Sequence, residues 1–65
     1  MINLKGLNIG EIAAHLKEYN IPSFRAKQLF QWIYQKNIDD FDLMTNLSKD
    51  LRIFLKEHFT INNIG

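Results

Sequence analysis

The stretch SFRAKQLFQWIYQK, from Ser23 to Lys36, decides the fold that we predict for this chain of 65 residues. It contains neither Pro nor Gly, and the Ser23 hydroxyl can accept a hydrogen bond from a free N–H group of a first helical turn. We therefore predict a helix from Ser23 to Lys36. At about 100° per residue, one side of it carries the apolar side chains that would face a core: Ala26, Leu29, Phe30, Ile33 and Tyr34.

The opposite side of this helix is polar and basic, and it carries one large aromatic residue. Its members follow one another at i, i+3, i+7 and i+11: Arg25, Gln28, Trp32 and Lys36. The segment 21–36 holds three cations and no acid, whereas a solvated helix usually mixes both signs and seldom directs Trp outward. This face is therefore the first candidate for contact with a partner.

Length and composition restrict the chain to one small domain. Eight Lys and Arg against seven Asp and Glu give a net charge of +1, so any affinity for nucleic acid must come from how the charge is distributed. A hydrophobic content of 46% is enough for a single core. The chain has no Cys, no apolar run of membrane-spanning length and no signal peptide. We expect a cytoplasmic monomer that does not contact a membrane.

Another helix is predicted ahead of this one, from about Ile9 to Tyr19. Asn8 and Glu11 have the spacing of a capping box, in which each side chain satisfies a backbone N–H group at the start of the helix. The helical period places five side chains on the inward face: Ile9, Ile12, Ala13, Leu16 and Tyr19.

The connection between these two helices is short. Pro22 lacks an N–H group and biases Ile21 away from helical geometry, so the first helix ends there. We expect Ile21 and Phe24 to cover the joint. Residues 1–7 form a lead-in, in which three apolar side chains could lie extended across the core: Ile2, Leu4 and Leu7.

The second half of the chain carries two further cap signals. Asp39 or Asp40 can cap a single helical turn that carries three side chains inward, namely Phe41, Leu43 and Met44. Ser48 can cap a last helix from Lys49 to about His58, with an inner face of Leu51, Phe54, Leu55, His58 and Phe59. Residues 60–65, TINNIG, have no helical period and no obvious partner, so we interpret them as the start of a linker.

Together these elements predict an all-α fold, a small compact domain with three main helices and one short helical turn. The domain would span residues 1–65, with its core over about residues 8–59. The side chains expected to form the centre of that core are Ile12, Leu16, Leu29, Phe30, Ile33, Leu51, Phe54 and Leu55.

No pattern of catalytic or metal-binding residues is present in the sequence. There is no Gly-rich phosphate loop, no HExxH motif and no pair of Cys. His15 and His58 suit a solvated flank and a helix end better than a ligand set, and the acids at 39–42 lack the Gly and closing Glu of a calcium loop. We assign no catalytic residue and no metal ligand.

Two interpretations of Trp32 remain open at this point. The lead-in, the tail or a neighbouring domain could cover it, since Trp usually finds burial and a partner for its N–H group. Alternatively, it offers a stacking surface while Arg25 and Lys36 meet phosphates, a combination typical of RNA recognition. Lys27 and Arg52 would widen this basic patch, or else be ordinary solvated charges.

The segment from Pro22 to Phe59 resembles the N-terminal region of the bacterial radical-SAM adenine-C2 methyltransferases of 23S rRNA, a family that includes the chloramphenicol–florfenicol resistance enzymes. The resemblance rests on the combination of FRAKQ at 24–28, WIY at 32–34, FDLMTNLSK at 41–49 and LR at 51–52, and it extends more loosely back to Leu7. It implies a helical accessory domain, similar to helix-hairpin-helix folds, that precedes a radical-SAM barrel and takes part in RNA recognition.

The same resemblance implies partners and cofactors that this chain does not carry by itself. The family's barrel uses S-adenosylmethionine and a 4Fe–4S cluster held by a CxxxCxxC motif, and this chain has no Cys, so we expect a domain without enzymatic activity or cofactor. The implied partners are 23S rRNA, tRNA as a second RNA, and the domain's own catalytic barrel. The matching motif contributes Arg25, Lys27, Gln28 and Trp32 as candidate RNA contacts, beside Lys36 and Arg52 from the charge pattern.

Two other functions remain as alternatives. In the first, the domain is a helical docking module whose outward Trp32 and Ile53 pack on the barrel without direct RNA contact. In the second, weaker alternative, it is a helix-turn-helix DNA-binding protein, although the second helix starts with few base-reading side chains.

Overall fold

The computed structural model describes residues 1–62, and within that range the chain forms a small domain that is mostly helical. The elements, in chain order, are β1 (Ile2–Asn3), α1 (Ile9–Lys17), α2 (Phe24–Phe30), a π-helical segment (Gln31–Gln35), a 3₁₀ turn (Phe41–Leu43), α3 (Lys49–His58) and β2 (Phe59–Thr60). The expected set of three main helices and one short turn is confirmed. The two-stranded sheet was not expected.

The two predicted caps with clear sequence signals are confirmed. Asn8 Oδ1 accepts from the Glu11 backbone N–H at 2.8 Å, while the Asn8 N–H donates to Glu11 Oε1 at 3.1 Å, which completes the capping box of α1. Ser48 Oγ accepts from the Leu51 N–H at 3.2 Å, and α3 spans the predicted range. Both signals act over three residues, so the local sequence is sufficient to determine them.

The helix predicted from Ser23 to Lys36 differs from the structure in two ways. Ser23 has helical backbone angles and makes no capping hydrogen bond through its side chain, so that expectation is wrong. The α-helical part ends at Phe30, and the π-helical segment follows, closed by the Lys36 N–H on the Gln31 carbonyl at 3.0 Å. This i→i+5 bond encloses one more residue than an α-helical bond, so the segment is wound more widely than the predicted α-helix, while Ile33 within it is still buried.

The core is built from all the elements and from both ends of the described range. Its buried apolar side chains are Leu4, Ile12, Leu16, Ala26, Leu29, Ile33, Phe41, Met44, Leu47, Leu55, Phe59 and Ile61. Five of the eight predicted central side chains are among them, and the other three, Phe30, Leu51 and Phe54, are partly buried against this core. The centre of the predicted core is therefore confirmed.

Four side chains that were expected to face inward are exposed instead. Phe24 lies two residues before Ala26, about 200° away around the helix, so the full burial of Ala26 leaves Phe24 on the opposite side. Leu43 is 54% exposed because residues i and i+3 share a face in a 3₁₀ turn, which directs Phe41 and Met44 inward and leaves Leu43 outside. Ile9 and Tyr19, at and beyond the ends of α1, are 40% and 39% exposed.

A short parallel sheet joins the two ends of the described range. Ile2 pairs with Phe59 and Asn3 with Thr60, and the Leu4 N–H donates to the Thr60 carbonyl at 2.9 Å. The Asn3 side chain also exchanges two hydrogen bonds with the backbone of Asn62. The expectation that the tail has no partner is therefore wrong for residues 60–62, and the buried Leu4 and Ile61 extend the core beyond residues 8–59. Residues 63–65 lie outside the described residues, so a linker there stays a prediction.

Candidate nucleic-acid interface

Helix α2 and the π-helical segment present cations on a stretch that has no acidic residue. Arg25, at the start of α2, donates from Nη1 to the Gln28 side-chain oxygen at 2.9 Å, and its guanidinium carbon lies 4.7 Å from the centroid of the Phe24 ring. The guanidinium is therefore fixed by a neutral oxygen and an aromatic face. Its positive charge remains available to an anion.

Trp32 packs against the core and has a hydrogen-bond partner for its indole. The ring is partly buried, and Nε1 donates to Asn46 Oδ1 at 2.7 Å. The expectation that Trp32 points away from the core is wrong, because the loop that carries Asn46 lies against this side of the helix. Of the two interpretations left open for Trp32, burial with a partner for its N–H group therefore holds, and that partner is Asn46, from the loop ahead of α3.

Lys36 and Lys27 complete the basic face. The Lys36 ammonium lies 4.4 Å from the centroid of the Trp32 ring, and Lys27 is exposed on α2. Within residues 1–62, neither of them forms an ion pair, and the same holds for Arg25. Lys56 on α3 is different, because its ammonium lies 2.8 Å from the Asp42 carboxylate, whose hydrogen bond and charge raise the pKa of Lys56 above its usual range. Arg25, Lys27 and Lys36 thus have no carboxylate partner within residues 1–62, in contrast to Lys56.

Arg52, on α3, is bound to the 3₁₀ turn. Its Nη1 donates to the Asp42 carbonyl at 2.8 Å, and its Nε is buried without a hydrogen-bond partner among the residues that the structure describes. The structure therefore brings Arg25 to Gln28 and Trp32 to Lys36, and it places Arg52 against the 3₁₀ turn. A role of Arg52 in RNA binding stays a prediction.

Two residues that the sequence analysis did not name as site candidates lie in α2 or against the π-helical segment. Phe24 is 55% exposed beside Arg25. Lys5, from the lead-in, lies with its ammonium 4.9 Å from the centroid of the Tyr34 ring, whose hydroxyl also accepts from the Gly6 N–H. The spacing of Phe24 from Ala26 could have revealed its exposure. The contact of Lys5 joins segments too distant in sequence for any local pattern to indicate it.

The comparison with known protein families identifies the domain. The family model described as the ribosomal RNA large subunit methyltransferase N-terminal domain matches residues 2–61. The chain belongs to this family. The resemblance that the motifs predicted is therefore confirmed.

Relatives of this rRNA methyltransferase N-terminal domain are much longer than the chain itself. Proteins of Staphylococcus aureus strains JH9 and Newman, each named probable dual-specificity RNA methyltransferase RlmN, are 47% identical over 62 residues, which cover 95% of this chain and 17% of the relative. A radical SAM methyltransferase from Sphaerobacter thermophilus has a solved structure that matches with a TM-score of 0.88 and 32% identity, over 95% of this chain and 18% of that one. The chain thus spans less than a fifth of these relatives.

The residues of this rRNA methyltransferase N-terminal domain do not fit an iron–sulfur cluster. Cluster irons are held mainly by Cys thiolates, and the chain has no Cys. Within residues 1–62, no three His, Cys, Asp or Glu side chains come together in a way that could hold a metal ion. His58 instead packs its ring against Phe54 and Tyr19, with centroids 4.3 and 5.0 Å away. Nor does any helix in this part of the chain have the length and apolar character needed to cross a membrane.

Proposed function

We propose that this domain binds RNA on behalf of a methyltransferase that modifies C2 of an adenine in 23S rRNA and also acts on tRNA. The observation that carries this proposal is the charge arrangement of α2 and the π-helical segment. Three cations, Arg25 and Lys27 in α2 and Lys36 directly after the π-helical segment, have no carboxylate partner among residues 1–62. The names of the relatives, RNA methyltransferases of dual specificity, support the same substrate class.

The physical reason is that phosphate groups bind cations that are free to pair. A lysine already bound to a carboxylate, as Lys56 is to Asp42, has to give up that pair before it can meet a phosphate. Arg25 and Lys36 are held near aromatic rings instead, so they keep their full charge in a defined position. A domain with a net charge of only +1 can attract RNA to this face because its acidic residues lie elsewhere in the chain.

The cofactors of the proposed enzyme belong to the portion that this chain lacks. S-adenosylmethionine and a 4Fe–4S cluster would be held there, since the residues of this domain do not fit a cluster. We therefore propose that the domain transfers no methyl group by itself, is a monomer, and works beside its own catalytic domain. Because bacterial ribosomal RNA is cytoplasmic, the proposed role also places the protein in the cytoplasm.

The test is a titration of the domain with a fragment of 23S rRNA, followed by the backbone amide shifts. We expect the largest shifts at residues 24–36, at low salt, and their loss at high salt. A titration with a transfer RNA should move the same amides if one face serves both substrates. If neither RNA moves any amide, the proposal is wrong.

The alternative function, docking on the catalytic domain without RNA contact, is favoured by Ile53, which is 45% exposed on α3. Trp32, the other anchor expected for docking, is already partly buried by the domain itself. Mixing the domain with the catalytic portion of the enzyme separates the two functions. Docking predicts protection of Ile53 and loss of binding in Ile53→Asp, with no effect of added RNA.

A further inference from the structure

We propose that Phe24 is the surface on which an unpaired RNA base stacks, with Arg25 beside it. This inference rests on the proposed RNA binding and deepens it, since it names the kind of RNA that the face would recognise. In this proposal Phe24, rather than Trp32, is the residue on which the base stacks. Base stacking requires an aromatic face that is open to the ligand, so the first question is which aromatic ring of the domain is accessible.

Phe24 is the most exposed aromatic side chain within residues 1–62, at 55%. Tyr19, the next, packs its ring against those of Phe54, Phe59 and His58, so its faces are largely occupied. Trp32 is partly buried against the core, and its Nε1 is already bound to Asn46. No other ring in this part of the chain combines wide exposure with the absence of a packed aromatic neighbour.

The position of the Phe24 ring is defined by its neighbours. The guanidinium carbon of Arg25 lies over the ring at 4.7 Å from its centroid, and the Arg25 Nη1 is in turn bound to the Gln28 side-chain oxygen at 2.9 Å. Phe24 contributes nothing to the buried core, because the helix turns Ala26 and Leu29 inward instead. The ring is therefore open to a ligand, and the ordered guanidinium beside it adds a positive charge at the same place.

The charge around Phe24 favours RNA over a protein as that ligand. Lys27 and Arg25 flank it, and no acidic residue occurs in the surrounding segment 21–36. Proteins that bind single-stranded nucleic acid combine such features, with bases stacked on aromatic rings and phosphates held by the cations next to them. Stacking on a ring also requires a base that is free of its own duplex, so the geometry favours a single strand or a loop.

The experiment compares variants of Phe24 in the binding of an unstructured RNA of about 12 nucleotides, measured by fluorescence anisotropy, and of a duplex of the same length. We expect Phe24→Ala to weaken binding of the single strand by about 5- to 150-fold without changing its salt dependence. Phe24→Tyr, which keeps an aromatic face, should bind like the parent. Leu43→Ala is the matched control, because Leu43 is equally exposed and lies on the 3₁₀ turn.

A second variant separates stacking from simple apolar contact. Phe24→Leu keeps the apolar bulk without a π face, so a loss equal to that of Phe24→Ala supports stacking, and binding like the parent overturns it. Equal binding of duplex and single strand also overturns the inference. If Phe24→Ala binds like the parent while Arg25→Gln weakens binding, Phe24 has no stacking role and the RNA-binding proposal stands. If the parent binds neither RNA, both proposals are wrong.

Discussion

The indole Nε1 of Trp32 donates a hydrogen bond to Oδ1 of Asn46 at 2.7 Å, and this bond joins the π-helical segment to the loop ahead of α3. The two residues are 14 positions apart, and the elements that carry them pack on the same core. The bond satisfies the polar group of a partly buried ring, which would otherwise lose its hydrogen bond to water on folding.

Asn46→Ala should lower the free energy of unfolding by about 0.5 to 1.5 kcal/mol, because the indole N–H then loses its partner in the fold. Urea denaturation followed by tryptophan fluorescence measures this change directly. Asn46→Asp keeps an oxygen at the same position and should retain most of the stability. Equal stability of Asn46→Ala and the parent would show that the bond contributes nothing.

Leu29→Ala should destabilise the domain by about 2 to 5 kcal/mol, since Leu29 lies on the buried side of α2 and belongs to the core. A domain of this size has little more stability than that to lose, so much of the population should unfold. Leu43→Ala is the same chemical change at an exposed position and should cost less than about 0.5 kcal/mol. Thermal melts of similar midpoint for the two variants would contradict the core described above.

Leu4→Ala tests whether the lead-in belongs to the folded domain. Leu4 is fully buried and its N–H is bound to the Thr60 carbonyl, so we expect a loss of about 2 to 5 kcal/mol, comparable with that of Leu29→Ala. Amide hydrogen exchange provides a second measurement, because the Leu4 amide should be protected in the parent and exchange faster in the variant. A parent-like denaturation midpoint for Leu4→Ala would mean that residues 1–4 add nothing to the fold.

The salt dependence of RNA binding should report the cations of α2 and the π-helical segment. Arg25→Gln and Lys36→Gln should each reduce the slope of log affinity against log salt by about 0.7 to 0.9, the contribution of one phosphate contact. Lys56→Gln is the matched control, because Asp42 already offsets the Lys56 charge. If the slopes of all three variants equal that of the parent, the phosphate contacts lie on another face.

Trp32→Phe should affect stability more than RNA affinity. The variant removes the N–H that Asn46 accepts and part of a ring that packs on the core, so the free energy of unfolding should fall by about 1 to 3 kcal/mol. At a temperature where both proteins are folded, the RNA affinity should stay within a factor of about three of that of the parent. A large loss of affinity without destabilisation would return the stacking role to Trp32.

The amino-acid sequence by itself determined the features that depend on neighbouring residues. The cap pairs of Asn8 with Glu11 and of Ser48 with Leu51 form over three positions, and the helical period of α3 identified Leu55 as buried. The motifs between Pro22 and Phe59 were also sufficient to indicate the family, which the match over residues 2–61 confirms. The cap pairs and the helical period each lie within a single element, and the family motifs are read directly from the order of the residues.

Only the tertiary structure decided the placements that depend on distant partners. The pairing of β1 with β2 joins residues at opposite ends of the described range, and strands of two residues are too short to show an alternating pattern. The loop ahead of α3 brings Asn46 to the Trp32 indole from 14 positions away, and so covers a ring that the helical wheel had placed outside. In each case the packing of the whole domain, rather than local preference, selects which side chain meets water and which meets the core.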